Sequence, residues 1–286
     1  MLTILFDGIA YGMVLFILAV GLSVTLGLMN FINLAHGVFA MAGGYAGAML
    51  VNRAGVPFLL ALPLAFLAAA LLGVLVERTL YVHVYRRSHL DQVLFTIGLV
   101  FMAVAAVDYF IGSSQQFIAL PDFLRARLEI LGGNIGAYRL FVVAVCAVIA
   151  TLLQVGLSSS RFGARLRAAV DNGRVARGLG INVGRIFTAT FAVGSGLAGL
   201  GGMLGAEFLG LDPSFPLKFL VYFLIVVTVG GTSSLTGPFL AAIILGIADV
   251  AGKYYLPGTG PFIIYAVMVV ILIVRPYGLV ARSEAR

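Results

Sequence analysis

The chain has 286 residues, 62% of them hydrophobic and only 10% charged, with 36 glycines, an apolar share far above that of a soluble domain. It reads as a polytopic membrane protein with no block polar enough to be a fused ATP-binding or enzymatic domain. A formal net charge of +7 would suggest nucleic acid in a soluble chain, but here the arginines punctuate apolar runs, so orientation in the bilayer explains them and no nucleic-acid partner is expected.

A span needs about 20 apolar residues to cross a core of roughly 30 Å. By that ruler residues 5–28 form the first helix. No Lys or Arg n-region precedes it, so it is expected to stay as a span and not to be cleaved. The uncharged break MNFINLAH follows at 29–36, with Asn30, Asn33 and His36. Residues 37–51 make a short second span and 57–76 a charge-free third, ending at Glu77 and Arg78. Arg78, Arg86 and Arg87 mark the next turn, and 93–111 crosses back. After a mixed-charge loop at 112–138, residues 140–157 form the fifth span and 186–205 the sixth. Runs at 219–229 and 239–250 flank the turn-rich break GGTSSLTGP at 230–238, which holds Thr232, Ser233 and Ser234. A last run at 262–274 leads to RPYGLVARSEAR. The predicted fold is all-α, a polytopic transmembrane helix bundle of eight to nine spans with interrupted helices, and residues 1–286 read as a single transmembrane domain.

Between the fifth and sixth spans, 158–185 is the longest strongly basic interval: Arg161, Arg165, Arg167, Arg174, Arg177 and Arg185 stand against one acid, Asp171. Phe162, Leu166 and Ala169, then Val175, Leu179 and Ile181, recur at roughly helical intervals. Asp171 or Asn172 is placed to cap a second helical piece, and Gly178 and Gly180 to end it. Charge alone leaves two readings, a solvated loop or a docking element. Counted on alternate sides, twelve Lys and Arg residues share this loop's side. Six lie opposite: Arg53, Arg125, Arg127, Arg139, Lys218 and Lys253. The loop is therefore expected in the cytoplasm, with the N-terminus outside and the C-terminus inside.

Irregular backbone at membrane depth is tolerated only beside protein or a water-filled path. Asn30, Asn33, His36, Thr232, Ser233 and Ser234 are thus candidates to line a translocation path, with ordinary helix capping as the competing explanation. Small residues four apart, Ala40, Gly44 and Ala48, then Gly194, Ala198, Gly202 and Ala206, allow close helix packing. Asp7, Asp108 and Asp249 fall toward the outer ends of spans, with Glu207 and Asp212 nearby, and suggest an acidic outer rim. No acid or histidine relay runs through the spans, which argues against a proton pathway. Cys146 is the single cysteine, and His36, His83 and His89 fit no ligand spacing, so neither an intrachain disulfide nor a metal site is expected. No GxxxxGK[ST] loop is present, and no catalytic residue is assigned.

Seven short motifs occur in order on this span pattern: GLMNFINLAHG at 27–37 followed by MAGGY, ER at 77–78, SRFGARLRAAVDN at 160–172, LGIN at 179–182, GG at 230–231, LGIAD at 245–249 and RPYGL at 275–279. In that combination the chain resembles, over nearly its whole length, the permease subunits of bacterial ABC importers for branched-chain amino acids, specifically the shorter of the two permeases such importers usually pair. The resemblance implies that Arg167, Ala168, Ala169, Asp171, Asn172, Gly180, Ile181 and Asn182 belong to a coupling segment seated in a groove of an ATP-binding subunit. It implies a non-enzymatic, multi-pass subunit of the bacterial inner membrane that binds no cofactor itself. Its expected partners are a second homologous permease, two cytoplasmic ATP-binding subunits that carry ATP and Mg, and an extracytoplasmic substrate-binding protein. Where the family commonly continues Gly-Gly with Gly-Ser before a Pro-Gly turn, this chain has TSSLTGP at 232–238, and Lys218 and Tyr222 add polar groups to a helix near the pathway. Members handle amino acids, urea, or small aromatic and other carboxylates, so the cargo stays open among these. The alternative of a different class is a stand-alone small-solute channel, which needs no ATPase and no docking helix. An ion-coupled carrier would call for a mid-membrane ion site or relay.

Overall fold

The computed structural model describes residues 1–29, 31–85, 87–130, 133–231 and 234–280. Asn30, Arg86, Thr232, Ser233, Arg282 and Arg286, singled out above, lie outside the described residues. In chain order the helices are α1 (Leu2–Met29), α2 (His36–Asn52), α3 (Phe58–Thr79), α4 (His89–Ile111), the one-turn α5 (Asp122–Arg125), α6 (Ala137–Ser159), α7 (Arg161–Asp171), α8 (Gly173–Gly178), α9 (Val183–Leu209), α10 (Phe215–Gly230), α11 (Thr236–Tyr255) and α12 (Gly260–Val274). Each of the nine expected apolar runs has become a helix. Six of these are long and apolar enough to cross a membrane, while α10 and α12 are shorter apolar helices. The sequence reading missed one feature. The loop before α6 folds into an antiparallel ribbon of β1 (Arg127–Ile130) and β2 (Gly133–Gly136), with Arg127 opposite Gly136.

Glycine sets how the core packs. In lipid, helices gain nothing from leaving water, so close backbone contact must supply their association. Along α9 every residue from Gly194 to Ala206 is buried. Gly202 rests on the Ala40 carbonyl of α2, and Gly199 lies against Gly43 of α2 and Ala69 of α3. A Cβ at Gly21 of α1 would sit 2.5 Å from the Gly194 carbonyl oxygen, and one at Gly12 would sit 2.6 Å from that of Ala242 in α11. Three helices, α2, α3 and α11, thus pack at glycine contacts around α1 and α9. By contrast, α4 and α6 leave most of their apolar surface uncovered.

Contacts between loops sort the chain ends onto two faces. On one, the Tyr255 hydroxyl lies 3.2 Å from Met1 Sδ, Arg139 pairs with Asp7, and Asn52 Oδ1 accepts the Ala119 N–H at 3.0 Å. On the other, the end of α3 meets the start of α9, where Arg78 Nε donates to Thr188 Oγ1 at 3.2 Å. There the C-terminal stretch also returns to the end of α10, with the Leu279 N–H donating to the Val229 carbonyl at 2.8 Å. Gly278, at φ +91°, is pressed against Gly231, at φ +81°, so the RPYGL and GG motifs form one tight junction that side chains would strain. The N-terminus and the chain at residue 280 therefore lie on opposite faces.

The first break is a re-entrant segment. His36 Nε2 lies 2.9 Å from the Leu18 carbonyl oxygen, roughly 16 Å back up α1 from Met29 at 1.5 Å per residue. Helix α2 therefore starts well inside the bundle, and the chain between climbs there without a regular backbone ladder. Its amides are met by side chains: Ile32 N–H donates to Gln92 Oε1 at 3.2 Å, Leu34 N–H to Thr96 Oγ1 at 3.3 Å, and the Tyr81 hydroxyl to Asn33 Oδ1 at 3.0 Å. Gln92 and Thr96 are both buried on α4, so this helix, though little covered, is tied to the core by two polar contacts.

Two outcomes follow. Gly202→Val drives two methyl groups into the α2 backbone, and monodisperse protein recovered from detergent-solubilised membranes should be largely lost; wild-type recovery would refute the backbone-contact account. Gln92→Leu leaves the Ile32 N–H buried and unpaired, at a cost of about 1–3 kcal/mol, and should lower the melting temperature in detergent, whereas Leu94→Ala on the exposed side of α4 should change it little.

Candidate functional site

Residues 158–185 fold as a braced elbow of two helices, each capped by its own side chain. Ser160 opens α7 by accepting the Gly163 N–H at 3.0 Å, while its hydroxyl donates back to the Gly156 carbonyl of α6. Gly163 lies on the Leu157 carbonyl, leaving no room for a Cβ, and the Arg167 guanidinium donates to the carbonyls of Leu157 and Ser158. The arginine thus neutralises the negative end of α6 and fixes α7 to it. Asn172 then caps α8, its Oδ1 accepting the N–H groups of Arg174 at 3.1 Å and Val175 at 3.0 Å. Of the two candidate caps the asparagine acts, and Asp171 ends α7 with its side chain exposed. Gly180, at φ +80°, turns the chain, and Asn182 opens α9 by accepting the Arg185 N–H at 3.0 Å.

The elbow has a small core of its own, Ala169, Ala176 and Val183, with Ile181 packed against it. Ala169 therefore points inward, while Ala168 is only half covered. What faces solvent is a different pair, Val175 at 56% and Leu179 at 75% exposure, one helical turn apart and flanked by Arg174 and Arg177. Their helical spacing was visible in the sequence, but which side of α8 they occupy depends on the Ala169–Ala176–Val183 contact. A charge-assisted network anchors the other end. Glu77, buried at the end of α3, accepts from the Tyr85 hydroxyl at 3.1 Å and from Thr188 Oγ1 of α9 at 2.9 Å.

The translocation-path candidates separate. Ser234 sits with Arg167, Ser23 and Gln154 around a cavity of about 190 Å³ between α1, α6, α7 and the start of α11. A second, more apolar cavity of about 200 Å³, shared among α1, α6, α7 and α9, adjoins it through Val24, Leu157 and Leu166. Ser234 Oγ also accepts the Gly237 N–H at 3.4 Å at the start of α11. Asn33 and His36 lie elsewhere, fully buried, with the bonds already given to Tyr81 and Leu18. Asn30, Thr232 and Ser233 lie outside the described residues.

At the opposite face the acids are largely paired. Arg139 meets Asp7 and Lys253 meets Asp249, each at 2.5 Å, so these two form charge pairs and not a bare acidic rim. Asp212, in the turn before α10, takes Lys218 at the same distance. Burial disfavours its charge, but hydrogen bonds from Lys218 and Ser214 outweigh that and hold the carboxyl below its ordinary range.

Comparison with known proteins bears on the whole chain. The family described as the permease component of branched-chain amino acid transport systems matches residues 4–272. The high-affinity branched-chain amino acid transport system permease protein LivH of Salmonella typhimurium is 26% identical over 296 residues, covering 98% of this chain and 95% of its own. BraD of Pseudomonas aeruginosa, which bears the same description, is 25% identical with the same coverage. A probable branched-chain amino acid transport permease protein of Methanocaldococcus jannaschii is 27% identical over 96% of this chain and 91% of its own. No solved structure matches. The chain belongs to the family of permease components of branched-chain amino acid transport systems.

Proposed function

We propose that the chain is the membrane-spanning permease subunit of an ATP-driven importer that carries branched-chain amino acids across the bacterial inner membrane. ATP and Mg reside on two cytoplasmic partner subunits, and this chain hydrolyses nothing. A second homologous permease completes the membrane channel, and an extracytoplasmic binding protein delivers the substrate. The observation that carries this reading is the exposed pair Val175 and Leu179 at the tip of a braced elbow. Isolated surface leucines need no explanation, but two apolar residues one turn apart, ringed by arginines on a six-residue helix, suit a hydrophobic groove with an acidic rim.

The bracing fits force transmission. Arg167 and Ser160 couple the elbow to α6, while Gly180, Ile181 and Asn182 join it to α9, which is the most deeply buried long helix after α1. A push on α8 is therefore delivered to one lightly held helix and one core helix together. Ala168, Ala169, Asp171 and Asn172 keep the elbow's shape and do not themselves fill the groove. Ser234 and Arg167 lie at the cytoplasmic mouth, where the elbow meets the second break. Asn33 and His36 hold the re-entrant segment beside the path, and the excess of basic residues expected on the elbow's side supports a cytoplasmic position for that face.

Leu179→Asp should abolish recovery of the ATP-binding subunits in pull-downs and reduce uptake more than tenfold, and Val175→Asp should do so to a lesser degree. The exposed control Arg53→Ala, on the opposite face, should do neither. Normal pull-down and uptake by Leu179→Asp at normal membrane levels would leave the elbow as a solvated loop. Orientation is checked separately: in a Cys146→Ser background, a cysteine at Arg174 should react from the cytoplasm and one at Asp122 from outside, and the reverse pattern would remove the docking argument.

A further inference from the structure

Of the two carboxylates among the described residues with a buried oxygen that lacks a hydrogen bond, Asp7 and Asp249, the second is by far the deeper. Asp249 of α11 is 1% exposed; Lys253 Nζ holds its Oδ2 at 2.5 Å, and its Oδ1 is buried with no hydrogen-bond partner. An ionised oxygen left unmet in a low-dielectric interior is costly and calls for an explanation. The surroundings are aromatic and come from three other helices: Tyr11 of α1, Tyr222 of α10 and Tyr265 of α12. Lys253 Nζ stands 5.5 Å from the Tyr11 ring centre, and the Tyr222 and Tyr265 rings are 6.3 Å apart. Tyr11 and Tyr222 both lie within range of the Asp249 charge. The ring row continues from Tyr222 to Phe219 at 5.8 Å. The cluster is not sealed, because the Lys253 side chain is 47% exposed.

We infer that Asp249, Lys253 and the Tyr11, Tyr222 and Tyr265 rings form a binding subsite for the zwitterionic head of an α-amino acid. This rests on the amino-acid reading above and names the residues that recognise that substrate. An α-amino acid carries its ammonium and carboxylate on adjacent atoms, so it can insert between a carboxylate and an ammonium that are already paired, exchanging one ion pair for two. Its ammonium meets the free Asp249 oxygen and the electron-rich faces of the tyrosines. Its carboxylate meets Lys253, and an aliphatic side chain lies along Tyr222 and Phe219. In the empty protein the Lys253–Asp249 pair keeps the acid neutralised, so the site waits without an isolated buried charge. Simple carboxylates lack the ammonium and gain nothing from Asp249, and urea offers it only neutral N–H donors.

The test uses the full chain, purified with its partner subunits in lipid nanodiscs without the binding protein, and reads ligand binding by saturation-transfer NMR. The probes are L-leucine, isopentylamine (which lacks the carboxylate) and 4-methylpentanoate (which lacks the ammonium). Isopentylamine should displace leucine from the wild type, and 4-methylpentanoate should do so far less well. Asp249→Asn should weaken leucine and isopentylamine on the order of tenfold or more. Lys253→Met should weaken leucine while sparing isopentylamine, and Tyr222→Leu should weaken both. Wild-type competition decides even if Asp249→Asn fails to fold: equal displacement by the amine and the acid overturns the subsite. So does undiminished leucine binding by a folded Asp249→Asn. Asp249-dependent binding of isopentylamine without any binding or uptake of leucine would keep the ammonium subsite and remove the branched-chain cargo instead.

Discussion

Backbone contact along α9 is the constraint on which the rest of the bundle depends. With Gly194, Gly199 and Gly202 against α1, α2 and α3, the helix axes approach closer than side chains would permit. Dispersion between backbones then replaces the hydrophobic drive that lipid withholds. The same closeness opposes sliding, because a Cβ at Gly202 would strike the Ala40 carbonyl of α2 and one at Gly199 the Ala69 methyl of α3. A core built this way moves as one body. Helices α4 and α6 stand outside this core, with most of their surfaces uncovered.

That division gives the elbow its mechanical meaning. Helix α6, little covered along its length, is fixed at its end to α7 by Arg167 and Ser160. The two adjoining cavities, one with a polar lining and one more apolar, lie between α6, α7 and the core. The Glu77 network acts on the other side. With both carboxylate oxygens held by Tyr85 and Thr188 from different elements, it pins the start of α9 to α3. Under the coupling role proposed above, a load at α8 would reach the firmly packed α9 and the lightly covered α6 together.

Hydropathy found the nine helices because crossing a bilayer imposes length and composition on each run separately. It found the irregular stretch at 29–36 for the same reason, since amides interrupt an apolar run visibly. What it did not reveal is how that stretch is paid for: Gln92 and Thr96 read as ordinary residues of a span, and only the fold brings them 60 and 62 residues along the chain to the amides of Ile32 and Leu34. The elbow was partly legible in the same way. Caps are local, so Asn172 and Gly180 could be named from spacing, though the Asn182 cap of α9 was not, whereas the inward face of Ala169 and the outward one of Val175 and Leu179 are set by a contact with Val183 across the turn. The β1–β2 ribbon was missed although its signs are local: Arg127, Leu128, Glu129 and Ile130 alternate polar and apolar, and the Gly132–Gly133 pair follows them.

Charge is distributed along the bundle according to what each depth can tolerate. At the elbow's face the arginines are mostly exposed and excess positive, which serves orientation and any acidic partner. At the deeper break, amides and hydroxyls carry the polar work without a formal charge, so nothing there needs a counterion. Toward the other face three acids reappear, each with a cation close in sequence or on a neighbouring helix: Asp249 with Lys253, Asp212 with Lys218, Asp7 with Arg139. The first of these differs from the others. Asp212 is satisfied by Ser214 as well as Lys218, and the Asp7 side chain, which also has an oxygen without a hydrogen bond, is 21% exposed. Asp249 is the deepest of the three, 1% exposed, faced by rings from three other helices, and its lysine leaves one oxygen uncommitted. A pair maintained only for packing would be replaced at little cost by apolar residues of the same volume. Burial of an incompletely satisfied charge beside a half-exposed lysine is instead the arrangement expected of groups that must exchange partners when a charged solute passes.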